Sequence, residues 1–245
     1  MKVRLDQLLV TRGLSDSRAK AHAAIEAGGV TVDGQPARSA SQSVEDTAVV
    51  TATPAHRWVG RGALKLDHAL ALWDVPVEGR VVLDIGASTG GFTEVCLERG
   101  AARVFAVDVG SGQMHPRIAA DLRVVNLERT DARTLDTGLV TDAPDLIVCD
   151  ASFIGLAKVL PVPLSLAAPG ADLVTLVKPQ FEADGPGHVG KKGVVKDPIA
   201  HATALKSVTE WLQSIGWTVN ATTESPITGG DGNIEFLLWA TKRAT

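Results

Sequence analysis

The sequence predicts an α/β protein, a doubly wound and mostly parallel sheet preceded by a small α+β unit. Three observations carry this. Beyond Arg80, short continuous apolar runs that read as strands alternate with helical stretches, as in a parallel sheet covered on both faces. Before about residue 50, two short helical patterns lead instead into Val-rich strand candidates. Between the two lies a stretch (53–66) punctuated by Pro54, Gly60 and Gly62, which reads as a linker with the domain boundary near residue 60. The expected division is therefore 1–59, a small module with its linker, and 60–245, a large domain, which suits the length of 245 residues.

Leu5, Leu8 and Leu9 fall at helical spacing, and Gly13 ends that helix. Ser15 is the expected N-cap of a second helix, with Ala19, Ala23 and Ile25 along it and Gly28-Gly29 as its stop. Val30-Thr31-Val32 running into Asp33-Gly34 predicts a strand and a tight hairpin, because that dipeptide tolerates positive φ. Val49-Val50 offers another strand. In the large domain, strands are expected at 81–86, 104–110, 122–126, 145–150 and 172–179, with a helix at 93–100 closed by Gly100. Asp197-Pro198 starts a helix with Ile199, Leu205, Val208, Leu212 and Ile215 on its apolar face and Gly216 as its stop. Two strands close in sequence, 217–222 and 234–241, add an antiparallel end to the parallel sheet, the Rossmann-like arrangement of class I methyltransferases.

Composition excludes several classes. No apolar run approaches the ~18 residues of a membrane helix, and the first residues, MKVRLDQLLVTRGLS, mix charges into their apolar positions, unlike a secretory signal. Cys96 and Cys149 form no pair motif and no zinc spacing, so no metal is expected and a reducing cytoplasm is. The formal charge of −4 argues, as an average, against a nucleic-acid partner. Its distribution argues otherwise: residues 1–65 carry nine Lys/Arg against six Asp/Glu, a net of +3, and the remainder 15 against 22, a net of −7. That asymmetry points to an anionic ligand for the first segment.

Residues 4–37 open with R-L-D, place Ser17-Arg18 at the second helix and read G-x-V-x-V-x-G at the hairpin. In these features the segment resembles the S4 RNA-binding domain. The resemblance implies a helix pair that meets structured RNA by shape and phosphate contact. Arg4, Arg12, Arg18 and Lys20 stand at the matching or adjacent basic positions. Arg57, Trp58 and Arg61 add cationic and aromatic surface in the linker, and Lys191 and Lys192 lie in a basic loop (185–196) suited to an RNA backbone. That loop matches G-x-x-x-x-G-K, yet it lacks the Ser/Thr that ligates magnesium in a phosphate-binding loop and leads into no helix.

Ligands of doubly wound sheets bind beyond the carboxyl ends of the strands. There the first strand-to-helix turn runs Asp84-Ile85-Gly86-Ala87-Ser88-Thr89-Gly90-Gly91-Phe92, with glycines that let a ligand approach the backbone. Asp108 ends the second strand, 22 residues after Gly86, where a carboxylate can accept both ribose hydroxyl hydrogens. These features fit NAD or S-adenosylmethionine. The acid before the first glycine suits a ligand bearing an ammonium group, and the turn lacks G-x-G-x-x-G spacing, so S-adenosylmethionine is favoured. Asp131, after the third strand, is a candidate for the adenine side.

Asp150 ends the fourth strand and Lys178 the fifth, Lys65 precedes the sheet and Glu235 begins the last strand. A strand-end lysine beside an aspartate suggests chemistry. In this order the four match the K-D-K-E tetrad of FtsJ-like ribose 2′-O-methyltransferases. With GASTGGFTE, DASFI, LVKPQFE and GNIEFLLW behind the S4 segment, nearly the whole chain resembles the TlyA (haemolysin A) family. The resemblance implies methylation of a cytidine ribose in ribosomal RNA by a cytoplasmic protein, here expected to be a monomer. The short ends look like the members that modify only the large-subunit (23S) RNA, 16S RNA being the further target of others. Within the tetrad, Lys178 would accept or steer the proton, Asp150 orient its amine, and Lys65 and Glu235 position the ribose. The family's linker tetrapeptide R-x-W-V stands here as His56-Arg57-Trp58-Val59. Two rivals remain. Asp150-Ala-Ser-Phe153 echoes the D-P-P-[YF] loop of base N-methyltransferases, but has no proline and leaves Lys65 and Lys178 unexplained. The other is a non-catalytic RNA-binding assembly factor that senses the cofactor. Haemolysis finds no amphipathic or membrane segment to support it.

Overall fold

The computed structural model describes residues 1–182 and 193–243. The chain forms two compact units, Met1–Trp58 and Val59–Thr245.

The first unit contains β1 (Lys2–Arg4), α1 (Leu5–Thr11), α2 (Arg18–Glu26), β2 (Val30–Val32), β3 (Gln35–Pro36), β4 (Ser43–Glu45) and β5 (Val50–Ala52). β1 pairs with β4, and β2 lies between β3 and β5, all antiparallel. The β2–β3 hairpin turns through Asp33 and Gly34 at φ 50° and 79°, as a two-residue turn of this hand requires. The second helix starts later than expected. Ser17, not Ser15, caps it by accepting the Lys20 amide at 3.2 Å, while the Ser15 hydroxyl donates to the Ser17 carbonyl. Leu5, Leu8 and Leu9 of α1 pack with Ala21, Ala24 and Ile25 of α2 over Val30, Val32 and Val44.

One charge is folded into this small unit. The Asp6 carboxylate is nearly inaccessible and receives both Arg4, at 3.0 Å, and Arg18, at 2.7 Å. The Arg4 guanidinium, with Arg18 behind it, holds Asp6 well below the usual carboxylate range against the opposing effect of burial. A depressed carboxylate stabilises the fold above its unfolded value of about 4 and loses that contribution as pH falls through the folded value.

The second unit opens with α3 (Ala63–Leu72) and continues β6 (Val81–Ile85), α4 (Gly91–Glu98), β7 (Arg103–Val107), α5 (Pro116–Ala119), β8 (Val124–Leu127), β9 (Leu146–Cys149), α6 (Leu156–Val159), α7 (Pro161–Leu166), β10 (Asp172–Val177), α8 (Pro179–Glu182), α9 (Pro198–Ser214), β11 (Trp217–Glu224) and β12 (Phe236–Lys242). The sheet order is β11-β12-β10-β9-β6-β7-β8. β6 to β10 are parallel, and β12 runs antiparallel to both β10 and β11. The chain winds outward in both directions from β6, so a crevice opens at the carboxyl ends of β6 and β9. β9 and β10 are buried along their whole length, as central parallel strands covered on both faces must be.

Two expectations change here. The end of the segment read as linker is helical: Ala63, Leu66, Ala69 and Leu70 bury one face of α3, and that helix carries Lys65. The buried face of α9 is Ala200, Ala204, Val208 and Leu212, with His201; of the expected face Val208 and Leu212 are buried and Leu205 packs against the core, whereas Ile199 and Ile215, at the two ends, are 75% and 44% exposed. Small alanines at four-residue spacing let the helix lie close to its neighbours. Among the described residues no helix is long and apolar enough to cross a membrane.

Replacing Asp6 by Asn should weaken the first unit by about 1–3 kcal/mol at neutral pH. Amide hydrogen exchange of α1 and α2 will report it, and the wild-type advantage should begin to shrink below about pH 4 and be lost only as pH falls through the depressed folded value.

Candidate active site

The crevice holds a cavity of about 520 Å³ whose wall includes Gly86, Ser88, Asp108, Val109, Gly110, Gln113, Asp131, Arg133, Asp150 and Phe153. Asp108 is set at the end of β7 by two backbone donors, Ser88 N–H at 2.8 Å and Gly110 N–H at 2.7 Å. Each carboxylate oxygen keeps acceptor capacity beyond these bonds. Asp131 starts the 3₁₀ turn Ala132–Thr134, and Arg133 grips its carboxylate at 2.6 Å, lowering its pKa. Gly86 has φ 81°, and a Cβ there would meet the backbone of Ala151 at 3.0 Å, so the turn admits no side chain.

Beyond Ile85, Gly86 and Ser88, the glycine-rich turn faces elsewhere. Asp84 does not reach the cavity. Strand alternation points it toward α4, where it is fully buried and accepts the Thr93 hydroxyl at 2.6 Å. Burial pushes its pKa up to about 7 against the Thr93 hydrogen bond, and the nearby Asp150 charge adds to the rise. Ala87, Thr89, Gly90, Gly91 and Phe92 also lie off the cavity wall. Thr89, Gly91 and Phe92 seat the segment that leads into α3, whereas Gly90 lies against Ile118: a Cβ on Gly60 would strike the Thr89 hydroxyl at 2.6 Å, and one on Gly91 would crowd the Ala63 amide at 3.3 Å. Close backbone approach therefore serves internal packing as well as a ligand.

A second cavity, of about 270 Å³, is lined by Lys65, Asp150, Ser152, Lys178, Gln180, Gly229, Asp231 and Glu235, together with Phe153 and Phe181. Four separate elements deliver the tetrad to it. Asp150 and Lys178 follow β9 and β10, Lys65 comes from α3, and Glu235 precedes β12. The antiparallel register Val177↔Phe236 brings the end of β10 beside the start of β12. Lys178 Nζ lies 2.6 Å from Asp150 Oδ1, 2.8 Å from Ser152 Oγ and 3.2 Å from the Asp150 carbonyl. Lys65 Nζ lies 2.5 Å from Glu235 Oε2, with both side chains almost wholly buried. Each lysine thus has a carboxylate partner, as charges withdrawn from water require. The seat of Glu235 depends on Gly229, where a Cβ would come within 2.5 Å of Glu235 Oε1.

The two cavities share Gly86, Ser88, Asp150, Ser152 and Phe153 as a common wall. A ligand in the first therefore meets a ligand in the second at the lysine–aspartate pair. Phe153 marks this junction: it is 88% exposed at φ 67°, with its ring 5.3 Å from that of Phe181.

Several residues on or behind these walls carried no sequence signal. The Glu128 carboxylate accepts the amides of Gly112, Gln113 and Met114 at 2.7–3.2 Å, fixing the loop from which Gln113 accepts the Ser88 hydroxyl. Acceptance of three backbone donors across a loop has no sequence motif. Ser152 and Gln180 stood inside quoted motifs without a reason to single them out, and Phe153 was noted only as the aromatic of the D-P-P-[YF] echo.

In the first unit, Arg4 and Arg18 converge on Asp6, Arg12 donates to the carbonyls of Ala48 and Asp46, and Lys20 pairs with Asp16 at 2.7 Å. Arg4 and Arg18 nevertheless remain about half exposed, at 46% and 57%. The Arg57 guanidinium stacks over the Trp58 ring at 4.2 Å. Arg61 in the second unit reaches the Thr228 carbonyl at 3.4 Å. Lys191 and Lys192 lie outside the described residues. Among the described residues no cluster of His, Cys, Asp or Glu could hold a metal ion.

Comparison with known proteins sets this geometry in context. The family of FtsJ-like methyltransferases matches residues 58–242, and the S4 domain matches residues 3–50. The chain is 48% identical over 240 residues to the 16S/23S rRNA (cytidine-2′-O)-methyltransferase TlyA of Mycobacterium tuberculosis, covering 97% of this chain and 89% of that one. It is 35% identical over 185 residues to the 23S rRNA (cytidine-2′-O)-methyltransferase TlyA of Campylobacter jejuni, covering 76% and 71%. A solved hemolysin structure from Streptococcus thermophilus superposes with a TM-score of 0.79 at 37% identity, covering 99% of this chain and 89% of that one.

The raised pKa of Asp84 has a measurable consequence. A carboxyl that binds its proton more tightly when folded stabilises most below about pH 4, and its contribution declines as pH rises toward about 7. Thermal denaturation of the ligand-free protein between pH 4 and pH 8 should show that decline, and Asp84→Asn should flatten it.

Proposed function

The chain belongs to the TlyA family of FtsJ-like methyltransferases, and from that membership we propose that it moves the methyl group of S-adenosylmethionine to the ribose 2′-oxygen of a cytidine in ribosomal RNA. The observation that carries this reading is the common wall of the two cavities, which brings a cofactor-sized crevice up to the Lys178–Asp150 pair. The 23S RNA of the large subunit is the first substrate to test and 16S RNA the second.

The residues of the first cavity suit the cofactor. At about 520 Å³ it falls within the usual range of small-molecule sites. Asp108 has acceptor capacity for ribose hydroxyls, Asp131 and Arg133 stand on the adenine side, and side-chain-free Gly86 lies toward the second cavity. When bound, S-adenosylmethionine supplies an electrophilic methyl group on a sulfonium. The chain's own residues do the remainder. Lys65 and Glu235 form a buried ion pair that positions the acceptor ribose. Lys178, oriented by Asp150 and Ser152, accepts or steers the 2′-hydroxyl proton as the oxygen–carbon bond forms and the carbon–sulfur bond breaks. Alignment of the two reactants across the shared wall provides much of the acceleration. Exposed Phe153, packed on half-buried Phe181, offers an aromatic surface at the mouth, of the kind on which unpaired bases stack. Arg4, Arg12, Arg18 and Lys20 contribute phosphate contacts from the first unit, so binding to RNA should weaken with added salt.

Lys178→Ala should abolish transfer of labelled methyl to ribosomal particles while calorimetry still shows S-adenosylmethionine binding. Retained turnover in that variant would remove Lys178 from its role. Digestion of the wild-type product to nucleosides should yield 2′-O-methylcytidine, whereas a base-methylated nucleoside would favour the rival enzyme class. Failure to label any particle would favour a cofactor-sensing assembly factor.

Gly229→Ala, on the wall of the second cavity and away from the first, should displace Glu235 from Lys65 and lower kcat at least tenfold with cofactor affinity unchanged.

A further inference from the structure

The polar groups around the second cavity are mostly engaged. Lys65 is paired with Glu235, and Lys178 with Asp150 and Ser152. Gln180 differs. It is the second residue of α8, two positions after Lys178, and its half-buried side chain lines the same cavity. Its side-chain oxygen is buried and meets no hydrogen-bond donor among the described residues. A buried acceptor left without a donor costs about 1–3 kcal/mol. A fold bears that cost most readily where a ligand supplies the missing donor.

The chemistry of the donor is restricted. A phosphate diester carries no hydrogen, and an internal nucleotide has its 3′- and 5′-oxygens esterified. What remains on the acceptor nucleotide is an N–H of the base or the 2′-hydroxyl. We propose that Gln180 is a substrate-positioning residue whose side-chain oxygen accepts a hydrogen bond from such an N–H, or from the O–H before its one hydrogen is turned to Lys178, holding the nucleotide against Lys178. The inference rests on the methyl-transfer reading of this cavity and adds to it a contact that selects for a neutral donor rather than for phosphate. Because Gln180 lies in α8 only two residues after Lys178, which follows β10, the contact and the proton-handling amine share one support.

The test is Gln180→Leu, which removes the acceptor and keeps an apolar side chain of similar size. Methyl transfer to ribosomal particles should fall in kcat/KM by about 10- to 100-fold. S-adenosylmethionine affinity should be unchanged, and the melting temperature unchanged or higher, because an unpaired buried oxygen has been removed. Wild-type kcat/KM in Gln180→Leu would overturn the proposal. So would a loss of activity accompanied by lower cofactor affinity and a lower melting temperature, which would mark a structural role. Binding of an RNA segment bearing the target as a 2′-deoxynucleotide separates the two donors. If the donor is the base N–H, Gln180→Leu binds this RNA more weakly than wild type does; if it is the 2′-hydroxyl, the two bind it equally. Wild-type protein run in parallel keeps the premise separate: absence of 2′-O-methylnucleoside from its product would refute the methyl-transfer reading itself, whatever the variant does.

Discussion

The antiparallel pairing of β12 with β10 is the constraint on which the site depends. Parallel strands alone bring Asp84, Asp108, Asp150 and Lys178 to one edge of the sheet, since each follows or ends a strand running the same way. Glu235 comes from the far end of the sequence and would lie at the opposite edge if its strand were parallel. Reversal of β12 in the register Val177↔Phe236 returns it to the side of Lys178. The terminal reversal of the sheet is thus what closes the acceptor cavity with a carboxylate.

Charge neutralisation follows from that closure. Two lysines withdrawn almost completely from water would be costly in isolation, and each is matched by a carboxylate within 2.6 Å. The pairs share no atom, which leaves each free for the separate role proposed for it. Asp84 lies beneath the glycine turn in a different regime. It is buried with a hydroxyl rather than a cation as its partner, and its pKa rises accordingly. The S4-like unit repeats the first solution on a small scale, with two arginines on Asp6 and their remaining surface open to solvent.

Much of this was legible in the sequence. Gly86 and Asp108 were recognisable because positive φ and a strand-end carboxylate restrict residue choice locally. The tetrad was recognisable only as an ordered set of motifs, each member being unremarkable alone. Other features were hidden for physical reasons. The helical phase of Ala63, Leu66 and Ala69 was masked by the glycines that precede them. Ser15 and Ser17 are equivalent as caps until the backbone turn selects one. Asp84 was assigned to the ligand because an acid before the first glycine suits an ammonium group; the two-residue alternation of the strand directs its side chain to Thr93, a contact that no local pattern announces.

The sequence by itself determined the strand–helix alternation, the glycine turn and the identity of the groups available for chemistry, because these depend on local dihedral preferences and residue type. Tertiary structure alone decided which of those groups meet. Lys65 and Glu235 are 170 residues apart and become partners only through the register of the sheet. Gln180 acquires its unpaired oxygen only when the cavity around it is assembled. Local preferences act over a few residues, whereas burial and pairing are properties of the packed molecule.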